Sequence, residues 1–470
     1  MNRLLSLCLA ALAAALVAAC ASAPVAPAVV KDAAKDAARQ AAETALADSL
    51  PVTEGDAMSA TIAGMQLLVK RVPGAELAAV NLYIRGGARN WSAQDAGLEQ
   101  LALRVATTGG LTLGGKALGK EEFGKLLAAT GVTLGSEAHR DASSITGKGP
   151  LTRFDTVLGV VAASFLSPAL PAAEIELARQ QQLLQLQRRE EQPDARLERL
   201  ALRSLFAGHP YENDPLGTLE SVAKLGPAQV ATHLAKLREG TRLLLVIVGD
   251  FEPAQTLAAA RLAFAAVPRG SYTPAPLARP QFAAARLTTE AMALPTNYLQ
   301  ASFPGPGLAD TEYPAARLAM RLLADRVFEE VRTKRNLSYA PGAGYSGFEA
   351  GGVGQLYVSA VDPTTTLGVM LAEVKRLQDT PATAAELKAT RAQLRTRFAM
   401  AGETTDGQAE QLAQGALGAG DWRWSQRYQK ALEGVTAEQV QGFAKKFATH
   451  LQVVLLGDPA KLDPKLATSL

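Results

Sequence analysis

The sequence predicts an α+β fold of two similar domains, each a mainly antiparallel sheet covered on one face by helices. Three observations lead there. An apolar run closing on Gly-Asp occurs twice, as Val246-Ile247-Val248-Gly249-Asp250 and as Val454-Leu455-Leu456-Gly457-Asp458. The helical segments leading into these runs also correspond, with Ala228-Gln229-Val230 set against Glu438-Gln439-Val440. Two short matches in the same order argue for duplicated domains, at a period far longer than a solenoid repeat. Between the copies, residues 268–280 (PRGSYTPAPLARP) hold four prolines and no helical periodicity, which reads as a linker.

Domain boundaries follow: a first domain over 55–268, a linker over 269–284 and a second domain over 285–470. Ahead of them, Asn2 and Arg3 form a short basic region, residues 4–19 are apolar, and Val17-Ala18-Ala19-Cys20 ends on a cysteine. This resembles a bacterial lipoprotein signal over 1–19, with cleavage before Cys20 and acylation of its thiol; a plain secretory signal with an incidental cysteine is the other reading. The only other cysteine, Cys8, would leave with the signal, so cysteine catalysis is excluded from the mature chain. The apolar run is too short and too Ala-rich for a spanning helix. Ala21 after the cysteine, in place of Asp, points to lipid anchoring in the outer membrane of a Gram-negative envelope, facing the periplasm. Residues 20–54, first Ala/Pro-rich and then Ala/Lys/Asp-rich, read as a tether with a short polar helix.

In the first domain, 61–72 and 77–85 read as paired strands joined through Pro73-Gly74. A helix over 95–107 presents Leu98, Leu101, Ala102 and Val105 on one face. Two strands fall within 131–149, and helices cover 153–166, 173–206 and 227–238 before the apolar strand 243–248. The second domain repeats the programme: a strand over 297–303, a helix over 314–334, strands over 339–347 and 354–360, helices over 364–378, 383–402, 405–418 and 436–447, and the apolar strand 451–456.

Several function classes fall away. A formal net charge of +3 on 470 residues, without a Lys/Arg block or aromatic-basic interleaving, gives no footprint for nucleic acid. Gly342-x-Gly344-x-x-Gly347 follows a helix and lies within strands, the reverse of a dinucleotide-binding context. Gly110-x4-Gly115-Lys116 is one residue short of a phosphate loop and has Ala117 where a hydroxyl is needed. The histidines His139, His209, His233 and His450 are scattered, with no zinc-type spacing. No Gly-x-Ser-x-Gly elbow occurs.

The most informative stretch is 321–346, RLLADRVFEEVRTKRNLSYAPGAGYS. Met320, Leu323, Val327 and Val331 recur at steps of three and four, giving a helix with one buried stripe. It ends near Arg335-Asn336, since Asn tolerates the left-handed conformation that closes helices. Arg332 and Tyr339 flank the resulting helix-to-strand turn, where a guanidinium and a phenol can converge on a carbonyl or carboxylate. An Arg in a last helical turn also suits the helix dipole, and a Tyr at a strand start also packs.

The segment Phe328-Glu329-Glu330-Val331-Arg332-x-Lys334-Arg335-x-Leu337-x-Tyr339, with the duplicated halves and the linker, resembles the pitrilysin/insulinase (M16) peptidase family over nearly all of 55–470. The resemblance implies that family's clamshell fold and identifies Arg332 and Tyr339 as a substrate-binding pair that helps stabilise a tetrahedral intermediate. Both side chains donate hydrogen bonds to a developing oxyanion. The family's peptidases carry an inverted zinc motif, His-x-x-Glu-His, on the first helix of the first half. The equivalent here is Gln100-Leu101-Ala102-Leu103-Arg104, so Gln100 and Arg104 replace the histidines and Leu103 the general base. The third ligand would fall near Leu184 or Gln185, in a stretch (178–189) without a carboxylate.

The resemblance therefore implies a zinc-less subunit with no catalytic residue or metal of its own. It would pair with a zinc-bearing His-x-x-Glu-His subunit, bind extended peptides and support peptide degradation in the cell envelope. The strand around 134–145 is the candidate edge for peptide addition. The alternatives are a non-enzymatic envelope peptide-binding or scaffold lipoprotein of the same fold, and an autonomous metallopeptidase.

Overall fold

A computed structural model describes residues 47–470. The lipobox with Cys20 and most of the tether lie outside the described residues. Ser49–Leu470 form one compact unit.

The first half opens with β1 (Ala47–Glu54), β2 (Ala57–Ile62), β3 (Met65–Arg71) and β4 (Leu77–Arg85). Next come α1 (Leu98–Thr108), a small hairpin of β5 (Gly110–Leu113) and β6 (Lys116–Gly119), and α2 (Lys120–Thr130). The chain continues through β7 (Thr133–Ala138), β8 (Ala142–Pro150), α3 (Phe154–Leu166), α4 (Ala172–Glu191) and α5 (Pro193–Leu205). It closes with α6 (Leu219–Ala223), α7 (Pro227–Leu237), β9 (Leu243–Gly249) and α8 (Pro253–Ala263). The seven-stranded sheet runs β1-β2-β3-β9-β4-β8-β7.

In the second half, β10 (Arg286–Ala291) and β11 (Asn297–Gly305) precede α9 (Tyr313–Val327), β12 (Gly342–Phe348) and β13 (Gly351–Ala360). Then follow α10 (Pro363–Asp379), α11 (Ala384–Ala401), α12 (Thr405–Gly418), α13 (Trp424–Glu433), α14 (Ala437–Phe447), β14 (Gln452–Gly457) and α15 (Pro464–Ala467). The five-stranded sheet runs β10-β14-β11-β13-β12. Most pairings are antiparallel, with β3–β9 and β10–β14 parallel.

Four expectations need correction. The strands around Pro73-Gly74 do not pair with each other, because β9 lies between β3 and β4. A strand of seven buried residues, LLLVIVG, takes the sheet centre, and Asp250 just beyond it accepts hydrogen bonds from Gly74 N–H (2.9 Å) and Arg71 Nε (2.9 Å). The helix expected over 173–206 is two helices, broken at Gln192 and restarted by Pro193 in its first turn, where the missing N–H has no helical acceptor to lose. The end of the expected tether, Ala47–Glu54, is the edge strand β1, and an edge is where Pro51 is tolerated. The strand after Tyr339 begins at Gly342, not at the tyrosine.

Each sheet has one face on its own half's helices, and the second face receives a helix from the other half. Ala409, Leu412, Ala413 and Ala416 of α12 pack on Leu68, Ala79, Tyr83, Leu244, Val246 and Val248 of the first sheet. Reciprocally, Leu197 and Ala201 of α5 pack on Val454 and Leu456 of the second. This exchange explains why β9 and β14 are continuously apolar instead of alternating: both of their faces are dry.

A polar clamp fastens the same junction. The Arg89 side chain, 2% exposed, bridges Asp141 (3.3 Å) and Glu349 (3.0 Å). Tyr211 donates its hydroxyl proton to Asp141 and accepts from Ala350 N–H at 3.0 Å. Glu349 N–H donates to Asp141 at 2.9 Å, so first-half side chains hold the β12–β13 turn of the second half. Burial raises the Glu349 carboxyl above its ordinary value, against the pull of Arg89. Replacing Arg89 by Leu strands two carboxylates at this junction, and we expect a loss of about 3 kcal/mol in urea unfolding, against less than about 1 kcal/mol for an exposed pair such as Lys375–Asp379.

Candidate functional site

Arg332 and Tyr339 come together. Helix α9 continues into a single π-helical turn, Phe328–Thr333, in which Lys334 N–H donates to Glu329 O (3.0 Å). The wider turn keeps Val327 and Val331 fully buried and leaves Phe328 and Arg332 at the surface. Asn336, at φ 51°, reverses the chain, and Leu337 N–H donates to Val331 O at 2.9 Å. Ser338 then anchors the loop, its hydroxyl donating to Ser359 O of β13 (2.6 Å).

These restraints hold the flanks of Tyr339 while its ring stays 79% exposed. The Arg332 guanidinium lies 4.2 Å from the Tyr339 ring centre and 5.0 Å from that of Phe328. A cation–π contact at an exposed site contributes only about 0.5–1 kcal/mol, so it aligns the pair without locking it. No carboxylate pairs with Arg332 among the described residues. Its cationic neighbours are spoken for: Glu330 binds Lys334 (2.6 Å) and Arg335, and these two hold its carboxyl down at about 2. An exposed phenol and an unpaired guanidinium thus present several hydrogen-bond donors to an outside acceptor.

The segment Gln100–Arg104, expected to be the equivalent of the zinc motif, lies on α1 in the other half. Leu103 is fully buried. Gln100 Oε1 accepts from Ala138 N–H of β7 at 2.9 Å. Gln100, Arg104 and Gln185 line one cavity of about 390 Å³ beside β7. Two amides, a leucine and a guanidinium make no zinc donor set. Glu137, His139 and Asp214 border the same cavity, but no group of three or more His, Cys, Asp or Glu among the described residues is placed to hold a metal. Arg332 and Tyr339 line neither this cavity nor the larger one of about 790 Å³ between β7, β8 and α12. Within this chain the two candidate sets do not share a cavity.

Sequence reasoning missed a buried polar cluster. Glu99, 3% exposed, accepts from the Ser143 hydroxyl and lies 3.1 Å from His233 Nε2, with Trp91 edge-on to the imidazole at 4.3 Å. Glu99 separates serine from histidine, so the cluster ties α1, β8 and α7 together without making a nucleophile. The one available signal was Glu99 on the apolar face of its helix.

A family model described as the peptidase M16 inactive domain matches residues 224–394. That stretch is similar to the inactive domain of M16 peptidases. The chain is 27% identical over 191 residues to the non-peptidase homologue YmxG of Helicobacter pylori, a match spanning 41% of the chain and 43% of that relative, less than half its length. Its fold is similar to a crystal structure of a protease from Helicobacter pylori, with TM-score 0.79 and 16% identity over 87% of this chain and all of that one. It is also similar to the peptidase M16 inactive domain from Pseudomonas fluorescens, with TM-score 0.76 and 20% identity over 88% and 100%. These likenesses, with the donor set at 100–104, make it a non-catalytic M16-like protein.

Two measurements follow from the site. Metal analysis of the purified chain should find no stoichiometric zinc. A carboxyl depressed in the folded state stabilises above its ordinary value and loses that contribution as pH falls. The Glu330 pairs should therefore be intact at all pH above about 4.5 and fade only toward pH 2. A carboxyl titration of Glu330 by NMR with a midpoint near 4.5 would contradict this.

Proposed function

We propose that this protein is the zinc-less subunit of a heteromeric M16-type metallopeptidase, supplying substrate binding and oxyanion support to a zinc-bearing His-x-x-Glu-His partner. The observation that carries the reading is the Arg332–Tyr339 pair: aligned at 4.2 Å, with the tyrosine open to solvent and the arginine half-buried beside it, and lining neither of the two cavities described above. The partner supplies the metal and the base. Arg332 and the Tyr339 hydroxyl donate to the carbonyl oxygen of the bound peptide and to the negative charge it gains during cleavage.

Extended peptides add to the open edge of β7, which ends the first sheet, because backbone hydrogen bonds recognise any extended segment. Acylated Cys20 holds the protein to the outer membrane facing the periplasm. No helix among the described residues is long and apolar enough to cross a membrane.

The experiment is co-expression with a zinc-bearing homologue from the same genome, followed by peptide-turnover assays on the purified complex. Arg332→Ala and Tyr339→Phe should each lower turnover by about a hundredfold while complex formation and zinc content stay unchanged. Unchanged turnover in both variants would refute the catalytic-support role.

A further inference from the structure

We infer that the vacated metal position on α1 is a carboxylate-binding site that holds the C-terminal carboxylate of an extended peptide lying on the β7 edge. Gln100 and Arg104 stand one turn apart on α1, facing Gln185 and Arg189 one turn apart on α4, across the cavity of about 390 Å³. Neither the Arg104 guanidinium nor the Gln185 amide has a hydrogen-bond or ion-pair partner among the described residues. Arg189 is paired at 3.3 Å with Asp214, and Glu137 with His139 at 3.2 Å. The cavity therefore holds three guanidinium groups, counting Arg140, against two carboxylates. Arg140 donates its Nε to Tyr211 O at 2.9 Å and has Asp214, Glu198 and Asp141 in its surroundings, which leaves Arg104 as the cation without a counter-charge. An incoming carboxylate supplies one, and the planar fork of Arg104 suits it bidentately.

The sheet edge identifies which carboxylate. In an antiparallel ladder a residue's N–H and C=O point to the same side, alternating along the strand. Ala138 N–H leaves the β8 side and donates to Gln100 Oε1, so Leu134 and Ser136, in step with it, present their backbone groups to the open edge. Gln100 occupies the next pairing slot. A strand added along 134–136 must stop there, and its terminus arrives beside Arg104. A terminus that ends at a guanidinium is a C-terminus.

This inference rests on reading β7 as the peptide-receiving edge, and the test separates the two. The isolated chain, without any zinc partner, is titrated by NMR with N-acetyl-Ala-Val-Ala-Val as free acid, with the same peptide as its C-terminal amide, and with N-acetyl-alanine. The acid should bind about tenfold more tightly than the amide. That difference should vanish in Arg104→Gln, and in Gln185→Glu, which adds a third carboxylate to the cavity from an exposed position. Equal binding of acid and amide overturns the carboxylate site and leaves the edge standing. Failure of both peptides overturns both readings. N-acetyl-alanine binding as tightly as the peptide acid would mean a small-anion site and overturns the terminus assignment.

Discussion

Burial of β9 and β14 on both faces is the constraint on which the rest of the molecule depends. A strand whose successive side chains are all apolar cannot leave either sheet face wet. Each half supplies enough helix for one face of its own sheet only. The second face is closed by α12 in one direction and α5 in the other, so neither half finishes its core alone. The duplicated halves are thus exchanged partners within one chain, and Ala409, Ala413 and Ala416 on α12 are small because a helix must approach the first sheet closely. Burial raises the Tyr83 hydroxyl, which bonds Glu410 of α12 at 2.8 Å, fixing the register of the exchange with one polar contact inside an apolar seam.

That junction determines what the surfaces can offer. The Arg89–Asp141–Tyr211 clamp grips Glu349 and Ala350 and sets the turn between β12 and β13. The other end of β12 leads back to Tyr339, and Ser338 ties that loop to Ser359 on β13. The pair at 332 and 339 therefore rides on an ordered scaffold although its own side chains pack against little. A donor pair preorganised by its flanks and left exposed is suited to an acceptor brought from outside.

The architecture was largely legible. The doubled Gly-Asp run gave away the duplication because it is structural: Asp250 pins the Pro73-Gly74 turn, and Asp458 N–H donates to Asn297 Oδ1 at 2.7 Å. The strand order was not legible, since nothing local distinguishes a hairpin partner from a strand that arrives 178 residues later. The closing contacts of the Arg332–Tyr339 turn were half legible: Asn336 announces the left-handed residue, but the π turn leaves no residue signature of its own. The exchange of helices was hidden for a physical reason as well. Apolar stripes on α5 and α12 state that they are buried and not against which sheet. Glu99, Arg89 and Tyr211 were invisible as a class, because a buried polar group is defined by partners distant in sequence.

The residues at 100–104 and the pair at 332 and 339 obey different constraints. Leu103 is fully buried, so a glutamate there would carry an unpaired charge into the core. Arg332 and Tyr339 are the opposite case, for removing either side chain opens no cavity and breaks no ion pair. Arg104 falls between them: it reaches solvent through the cavity and its guanidinium has no partner among the described residues. Leu103 and Arg104 are neighbours on one helix, yet the apolar side chain belongs to the core and the cation to the wall of a cavity, because successive positions of a helix face in different directions.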